Sequence, residues 1–534
     1  MACAATPDTE PKITSIFPLS AQAGKATETV IRGRNLKAAR AVWFPEGKAH
    51  AKVLRVESDE TNGDTLYTDV ILNADAAGPQ HFRVVTPSGV SNSLEVQSTA
   101  KPVLTSLPAG EPLSQFPSTL DGNIAHRGEV GLHHISVHAG ELLTFDVHSG
   151  FRGFDPSITI ARKTGSWFDP DRINPIASND EPLFFPGLST DARLVHRFEK
   201  AGDYLIQIGS FSGQGGPDYS YELKVTPGET PAPILHPNLT ESWEERQFTR
   251  RISPDWTTKV AARGAEDPSP KSAETFRAVP EGAGEVPAFV PPGLVDGNIA
   301  HAGEAHVIHM NLEKAQDLAI EIETPEATLP RFNPVVRLME PGGQEVVTNV
   351  YTKLNNNGLY MMKMIQAKTA FSLAAPGMYT LQIRDITTDR GAADFHYRVL
   401  VRPQIPHIGR LTCSADHINL HAGETRTLTV TLDREEDFGG AVALAVENLP
   451  PGVTAAPAME KPADRPPLPN GGKLERYISK PQTASLLLVA APDAPLSDQP
   501  VSLRVVARPV VKGQLKDAIR VGDVPMMVIA RRPS

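Results

Sequence analysis

The sequence predicts an all-β protein built as a multidomain string of β-sandwiches, and three observations carry that prediction. Its 534 residues hold 48 prolines, about 9%, where ~5% is usual, and so dense a proline content favours turns and short strands over long helices. Apolar residues alternate at period two along the chain, where a helix would show a period of 3.6. At about 100–200 residues per domain, the length makes several domains, each able to bury a core. The same composition excludes other classes. With 21% charged residues, a net charge of −10 and a pI near 5.9, the chain lacks the basic face of a nucleic-acid binder. Two cysteines far apart in sequence make neither a disulfide scaffold nor a metal knuckle. No apolar run of about 18 residues exists, so no transmembrane segment is expected.

Residues 11–98 read as a small sandwich. Thr29-Val30-Ile31-Arg32, Lys52-Val53-Leu54-Arg55-Val56 and Phe82-Arg83-Val84-Val85 supply strands, and Gly33-Arg34-Asn35, Asn62-Gly63-Asp64 and Pro87-Ser88-Gly89 supply turns. Ile13-Thr14-Ser15-Ile16-Phe17-Pro18, Gly24, Ile31-Arg32-Gly33-Arg34-Asn35-Leu36 and Thr86-Pro87-Ser88-Gly89-Val90-Ser91-Asn92 together resemble the IPT/TIG family of immunoglobulin-like domains. That resemblance implies a spacer, ligand-binding or dimerisation module, a shape rather than an activity.

An internal repeat follows. Asp121-Gly122-Asn123-Ile124-Ala125-His126-Arg127-Gly128-Glu129 returns 175 residues later as Asp296-Gly297-Asn298-Ile299-Ala300-His301-Ala302-Gly303-Glu304, with eight of nine positions identical. Phe154-Asp155-Pro156 returns as Phe332-Asn333-Pro334, Gly202-Asp203-Tyr204 as Gly377-Met378-Tyr379, and Tyr219-Ser220-Tyr221 as Phe395-His396-Tyr397. Four anchors in register mark two copies of one domain, placed at 107–226 and 293–402. Each copy reads as all-β, with Leu142, Thr144 and Asp146 alternating with Leu143, Phe145 and Val147 in the first. Val137-His138-Ala139-Gly140-Glu141-Leu142-Leu143, Phe154-Asp155-Pro156, Ser178-Asn179-Asp180-Glu181 and Ala201-Gly202-Asp203-Tyr204 resemble the bacterial pre-peptidase C-terminal domain, a jelly-roll-like sandwich. The resemblance implies a module appended to secreted peptidases and other extracellular proteins, where it binds matrix polymers or assists secretion and folding.

Residues 228–292, rich in proline and charge, read as an extended linker with one short helix near Glu241–Arg246, part of which straps onto a neighbouring domain. Residues 405–531 read as a last sandwich, in which Leu428, Val430 and Leu432 alternate with threonines. Its Asn448-Leu449-Pro450-Pro451-Gly452-Val453 turn resembles that of immunoglobulin-like domains in secreted bacterial proteins. A polar, proline-rich insertion at about 458–482 interrupts it.

Signatures of catalysis are missing: there is no His-Glu-x-x-His, nucleophile elbow, phosphate loop or Cys-x-x-Cys. Gly209-Ser210-Phe211-Ser212-Gly213 has the wrong spacing for an elbow and reads as loop. No enzyme is therefore expected; the alternative is a hydrolase whose site residues are dispersed along the chain and leave no motif. Calcium-binding members of the pre-peptidase family pair a Glu-Pro-Asn-Asn/Asp segment with two aspartates. Here those positions read Glu111-Pro112-Leu113-Ser114, then Glu129 and Gly131, with Glu304 and His306 in the second copy. No cofactor is expected, and calcium has only Glu111 and Glu129 to support it. Asp169, Asp171, Asn179, Asp180 and Glu181 crowd one region without the glycine of a calcium loop, and solvated turn residues are the favoured reading. The histidines at 126, 133, 134 and 138, and at 301, 306 and 309, read as strand-surface residues, since no zinc spacing brings three or four together. Cys413 reads as a small buried hydrophobe.

The candidate ligand-binding residues are Trp167, Phe168, Phe184 and Phe185, aromatic faces among acidic and amide groups in one loop at 165–189. The competing reading is a loop that buries its own aromatics to pin itself down. The functional expectation is a secreted or cell-surface, non-enzymatic binding or structural protein that recognises envelope or matrix polysaccharide or a partner protein. The alternative is an accessory targeting or chaperone component of a secreted peptidase or glycoside hydrolase system. Met1-Ala2-Cys3-Ala4 shows no secretory signal. Either the chain is cytosolic or a leader precedes this numbering, in which case Cys3 is placed for an N-terminal lipid anchor.

Overall fold

The computed structural model describes residues 9–532 apart from 60–62, 106–110, 152, 164–172, 181–190, 230–249, 253–275, 279–285, 326–331, 355–360, 366–367, 387–389, 437 and 462–481. Among the described residues every regular element is a strand, 40 in all. They gather into paired sheets around four apolar cores.

In the N-terminal sandwich Ile13, Ile31, Leu66, Phe82, Val84 and Val96 fill the space between a four-stranded and a five-stranded sheet. The edge strand Ala49–Asp59 departs from strict alternation. Val53 pairs with Thr68 and Arg55 with Tyr67, so Leu54 is an unpaired bulge residue and lies 40% exposed. The extra residue shifts the phase by one, and Val53 and Val56 therefore both pack on the core.

The first repeated domain is two four-stranded sheets. Strands Ser118–Asn123, Ser220–Pro227, Leu142–Ser149 and Ala192–Arg197 form one; Gly131–Val137, Gly202–Ser210, Pro156–Lys163 and Ile173–Asn179 form the other. Leu143, Phe145 and Val147 enter the core with Ile135, Ile158, Ile206 and Ile208. The second copy repeats this plan, with strand Gly293–Asn298 paired to His396–Pro403 as Ser118–Asn123 is to Ser220–Pro227. Even the cis peptide recurs, Phe116-Pro117 in one copy and Pro291-Pro292 in the other.

Residues 228–292 are more than a linker. Arg250–Ile252 adds in parallel to Gln316–Pro325, Phe276–Ala278 to Gly293–Asn298, and Val286–Phe289 to Ala305–Leu312. Three short strands thus extend the sheets of the second copy, which begins well before residue 293. The segment 241–246, where a short helix was expected, lies outside the described residues. Unpaired edge N–H and C=O groups favour such additions once a chain segment is tethered nearby.

The last sandwich packs Leu428, Val430, Leu432, Leu486, Leu503 and Met526 between a four-stranded and a six-stranded sheet. Its Pro450–Val453 turn is closed by the Val453 N–H donating to Pro450 O at 3.1 Å, with Gly452 at φ +77. A Cβ on Gly452 would meet Ala494 at 2.8 Å, so the position needs glycine for space as well as for conformation. Cys413, on strand His407–Cys413, is a half-buried free thiol whose pKa burial pushes up to about 11.

The domains do not follow one another as independent beads. The first sandwich contacts the last across 300 residues of sequence. Arg83 grips both carboxylate oxygens and the carbonyl of Asp416. Asn419 accepts the Val90 N–H at 2.8 Å and donates to Val90 O at 3.0 Å. Val85, Val90, Met527 and Ile529 close the seam.

Candidate functional site

The aromatic candidates Trp167 and Phe168, and Phe184 and Phe185, lie outside the described residues, as do Asp169, Asp171 and Glu181. Their surroundings correct one expectation: residues 165–189 are not a single loop. Strand Ile173–Asn179 runs through them, paired to Pro156–Lys163. Its six residue steps at ~3.3 Å put the two ends of that strand roughly 20 Å apart. Asn179 belongs to this strand and donates to Arg193 O at 2.6 Å.

The repeated Asp-Gly-Asn-Ile-Ala-His-x-Gly-Glu segment is a clasp between strands. Gly122 lies where a Cβ would sit 2.3 Å from the Tyr221 ring, and Gly297 where it would sit 2.4 Å from the Tyr397 hydroxyl. Asn123 donates to Pro217 O and Asn298 to Ala393 O. Ile124 and Ile299 are fully buried. The carboxylate ending each segment turns back on it: Glu129 Oε2 accepts the His126 N–H at 2.7 Å and Glu304 Oε2 the His301 N–H at 2.8 Å. Gly128 and Gly303 take the left-handed conformation that such a turn requires, at φ +77 and +78.

Two histidines expected on strand surfaces instead point inward, because the buried tyrosine hydroxyl needs a partner. In the first copy His133 Nε2 shares a hydrogen bond with Tyr221 OH at 2.8 Å. Burial, with the nearby His134 charge adding to it, lowers the His133 pKa to about 4. In the second copy the imidazole comes from a position two residues earlier in the repeat. His306 Nδ1 meets Tyr397 OH at 2.7 Å and Nε2 donates to Glu304 Oε1 at 2.8 Å. The first copy has Gly131 at that position, and a Cβ there would meet Tyr221 OH at 1.9 Å. Glycine plus histidine in one copy and histidine plus Ile308 in the other solve the same problem.

Glu129 and Glu304, the acidic positions compared with calcium ligands, are thus committed to backbone and imidazole. Among the described residues no three or more His, Cys, Asp or Glu side chains converge as a metal set.

The copies differ in one row of outward side chains across the first sheet. In the first copy the register aligns Asp121, Glu222 and His148; in the second it aligns Asp296 with Arg398. The second row pairs within itself, Arg398 Nε donating to Asp296 Oδ1 at 3.0 Å. The first places two carboxylates on neighbouring strands, and the N-terminal sandwich covers them. The Ser20 N–H donates to Asp121 Oδ2 at 2.9 Å, and the Ser20 hydroxyl donates to Glu222 Oε2. Asp121 is 1% exposed and Glu222 4%.

Burial raises the Asp121 pKa well above the usual carboxylate range, with Glu222 adding to it. Burial raises Glu222 as well, against Lys224 and His148. For His148 burial opposes the charge, but the hydrogen bond from Nδ1 to Asp191 Oδ2 at 2.8 Å and the charges of Asp191, Glu222 and Glu95 outweigh it. Its pKa stands at about 9.

No family model matches the chain, and no curated protein matches it significantly. Among solved structures, a glycosyl hydrolase family 2 member from Bacteroides cellulosilyticus is similar over 42% of this chain and 28% of its own, at 10% identity and a TM-score of 0.17. Tripeptidyl peptidase 2 is similar over 98% of this chain and 40% of its own, at 10% identity and a TM-score of 0.13. SGBP-B of the Bacteroides ovatus mixed-linkage glucan utilization locus, solved with a mixed-linkage heptasaccharide, is similar over 73% of this chain and 74% of its own, at 12% identity and a TM-score of 0.16. The chain spans less than half the length of the hydrolase and the peptidase, and at these TM-scores none of the three likenesses carries an argument about this protein.

Proposed function

We propose that the protein is a non-enzymatic, multimodular binding and structural protein of the cell surface or extracellular space. In this reading its first repeated domain holds a matrix or envelope polysaccharide, or a partner protein. The observation that carries it is a group of exposed apolar side chains at one end of that domain's second sheet, Leu132 on strand Gly131–Val137, Val130 just before it and Phe211 in the turn after strand Gly202–Ser210. Val130, Leu132 and Phe211 are 44%, 50% and 67% exposed. Leu132 pairs with Gln207, and Val130 lies over Gly209, where no side chain covers it. Apolar surface held open on a rigid sheet favours a ligand with flat, weakly polar faces, such as a sugar ring or an extended peptide. These residues share their sheet with strand Ile173–Asn179, which lies in sequence between Trp167 and Phe168 on one side and Phe184 and Phe185 on the other. The resemblance to pre-peptidase C-terminal and IPT/TIG modules supports the same reading.

The test is a pull-down on a panel of insoluble matrix and cell-wall polysaccharides, with the intact chain, Phe211→Ala and Trp167→Ala. Retention of the intact chain on one polysaccharide, and about five- to tenfold weaker retention of either variant, is the expected result; loss of a stacked ring costs about 1–1.5 kcal/mol. Turnover of any panel substrate by the pure protein, or retention unchanged in both variants, overturns it.

A further inference from the structure

We propose that docking of the N-terminal sandwich onto the first repeated domain is a proton-driven latch, built on the Asp121–Glu222 carboxylate pair and its Ser20 lid. Asp121 and Glu222 are direct cross-strand partners on antiparallel strands, so their side chains leave the same face side by side. Ser20, itself fully buried, closes over both. Asp121 Oδ1 is buried and finds no hydrogen-bond partner among the described residues. An ionised pair in that position would hold two like charges out of water with one oxygen unsatisfied, which is costly. One proton on the pair removes the repulsion and gives the orphaned oxygen a role as donor or acceptor.

The charged groups facing the pair are His148 and Asp191 beside Glu222, Lys224 on the same strand as Glu222, and Glu95 on the N-terminal sandwich. Asp146 and Arg193 lie one row further on and are bonded to each other at 2.7 Å. The second copy lacks the device, because Arg398 stands where Glu222 does and neutralises Asp296 directly.

The sign follows from which state holds protons more tightly. Both carboxylates have raised pKa values in the docked form, where the N-terminal sandwich buries them. Docking is therefore strongest in acid and weakens as pH rises and the two carboxylates ionise beneath Ser20. Each proton held by the docked form and released by the open one changes the docking constant about tenfold per pH unit across that window.

The test uses the full chain with Cys3 and Cys413 replaced by serine and nitroxides on cysteines placed at the exposed positions Lys52 and Asp203, one in each domain. The interspin distance is measured from pH 5.5 to 9.5. The expected result is one narrow distribution in acid and a growing broad, longer component towards pH 9.5, with far-ultraviolet dichroism unchanged. Glu222→Gln, which is isosteric and uncharged, holds the narrow distribution to higher pH, and Asp121→Asn does the same if Glu222→Gln fails to fold. An unsubstituted chain whose distribution does not change with pH overturns the proposal, as do neutral variants that open over the same range.

Discussion

At the scale of single residues, the sequence shows which positions are constrained but not the direction in which they act. The histidines illustrate this. Their spacing on a strand puts His133 opposite to His134, and the structure keeps that alternation, but which face is inward depends on Tyr221, 88 residues away. A lowered pKa means that the folded form resists protonation. The His133 contribution is therefore intact above pH 6.5 and lost as pH falls from there towards 4. Titration followed by NMR is expected to show one imidazole of the first copy with a midpoint near 4; a midpoint near 6.5 would place His133 in water and refute the Tyr221 contact.

At the scale of elements, the repeat was legible and its reason was not. Asp-Gly-Asn-Ile-Ala-His-x-Gly-Glu stands out because so many of its side chains are bound locally, yet the glycine answers to a tyrosine about 100 residues downstream. Gly297→Ala is expected to destabilise the second copy by about 1–3 kcal/mol, the cost of overpacking a site whose neighbour has no room to move. Tyr397 is fully buried. A lower denaturation midpoint for that domain, with the first copy unaffected, is the outcome to look for; no change would mean the ring is not held against the strand. Bulges defeat pattern reading for a related reason. Leu54 breaks the alternation of its strand, and only the pairing of Val53 with Thr68 and Arg55 with Tyr67 reveals the shift in phase. The short strands within residues 250–289 were hidden by their composition, since edge additions need backbone groups rather than apolar side chains.

At the scale of the whole molecule, charged side chains join domains that the sequence presents as separate. Arg402 ends the second copy and is fully buried between Glu321 of that domain and Glu436 of the last one. Glu436 adopts φ +50, a strained conformation for a residue with a side chain. It is held there by Arg402 at 2.6 and 2.7 Å, Lys368 at 3.0 Å and the Ile405 N–H at 2.6 Å. Burial would raise the Glu436 pKa, but Arg402 and Lys368 together bring it down to about 2. The junction thus contributes fully above the ordinary glutamate value of 4.5 and is lost as pH falls towards 2. Arg402→Met leaves two buried carboxylates short of their partner and is expected to cost about 3–5 kcal/mol. Calorimetry that shows the last two domains unfolding as tightly as before would refute the role of this junction.

The sequence by itself determined the all-β class and the duplication at an offset of 175 residues, because alternation, turn chemistry and repeated motifs are local properties of the chain. Tertiary structure alone decided which domains touch, which histidines turn inward, and that one copy carries a carboxylate pair where the other carries an ion pair. Those outcomes rest on contacts between residues 88 to 409 positions apart, as in His133–Tyr221, Glu222–Ser20 and Asn419–Glu10. Burial sets their energies, and burial is a property of the assembled fold.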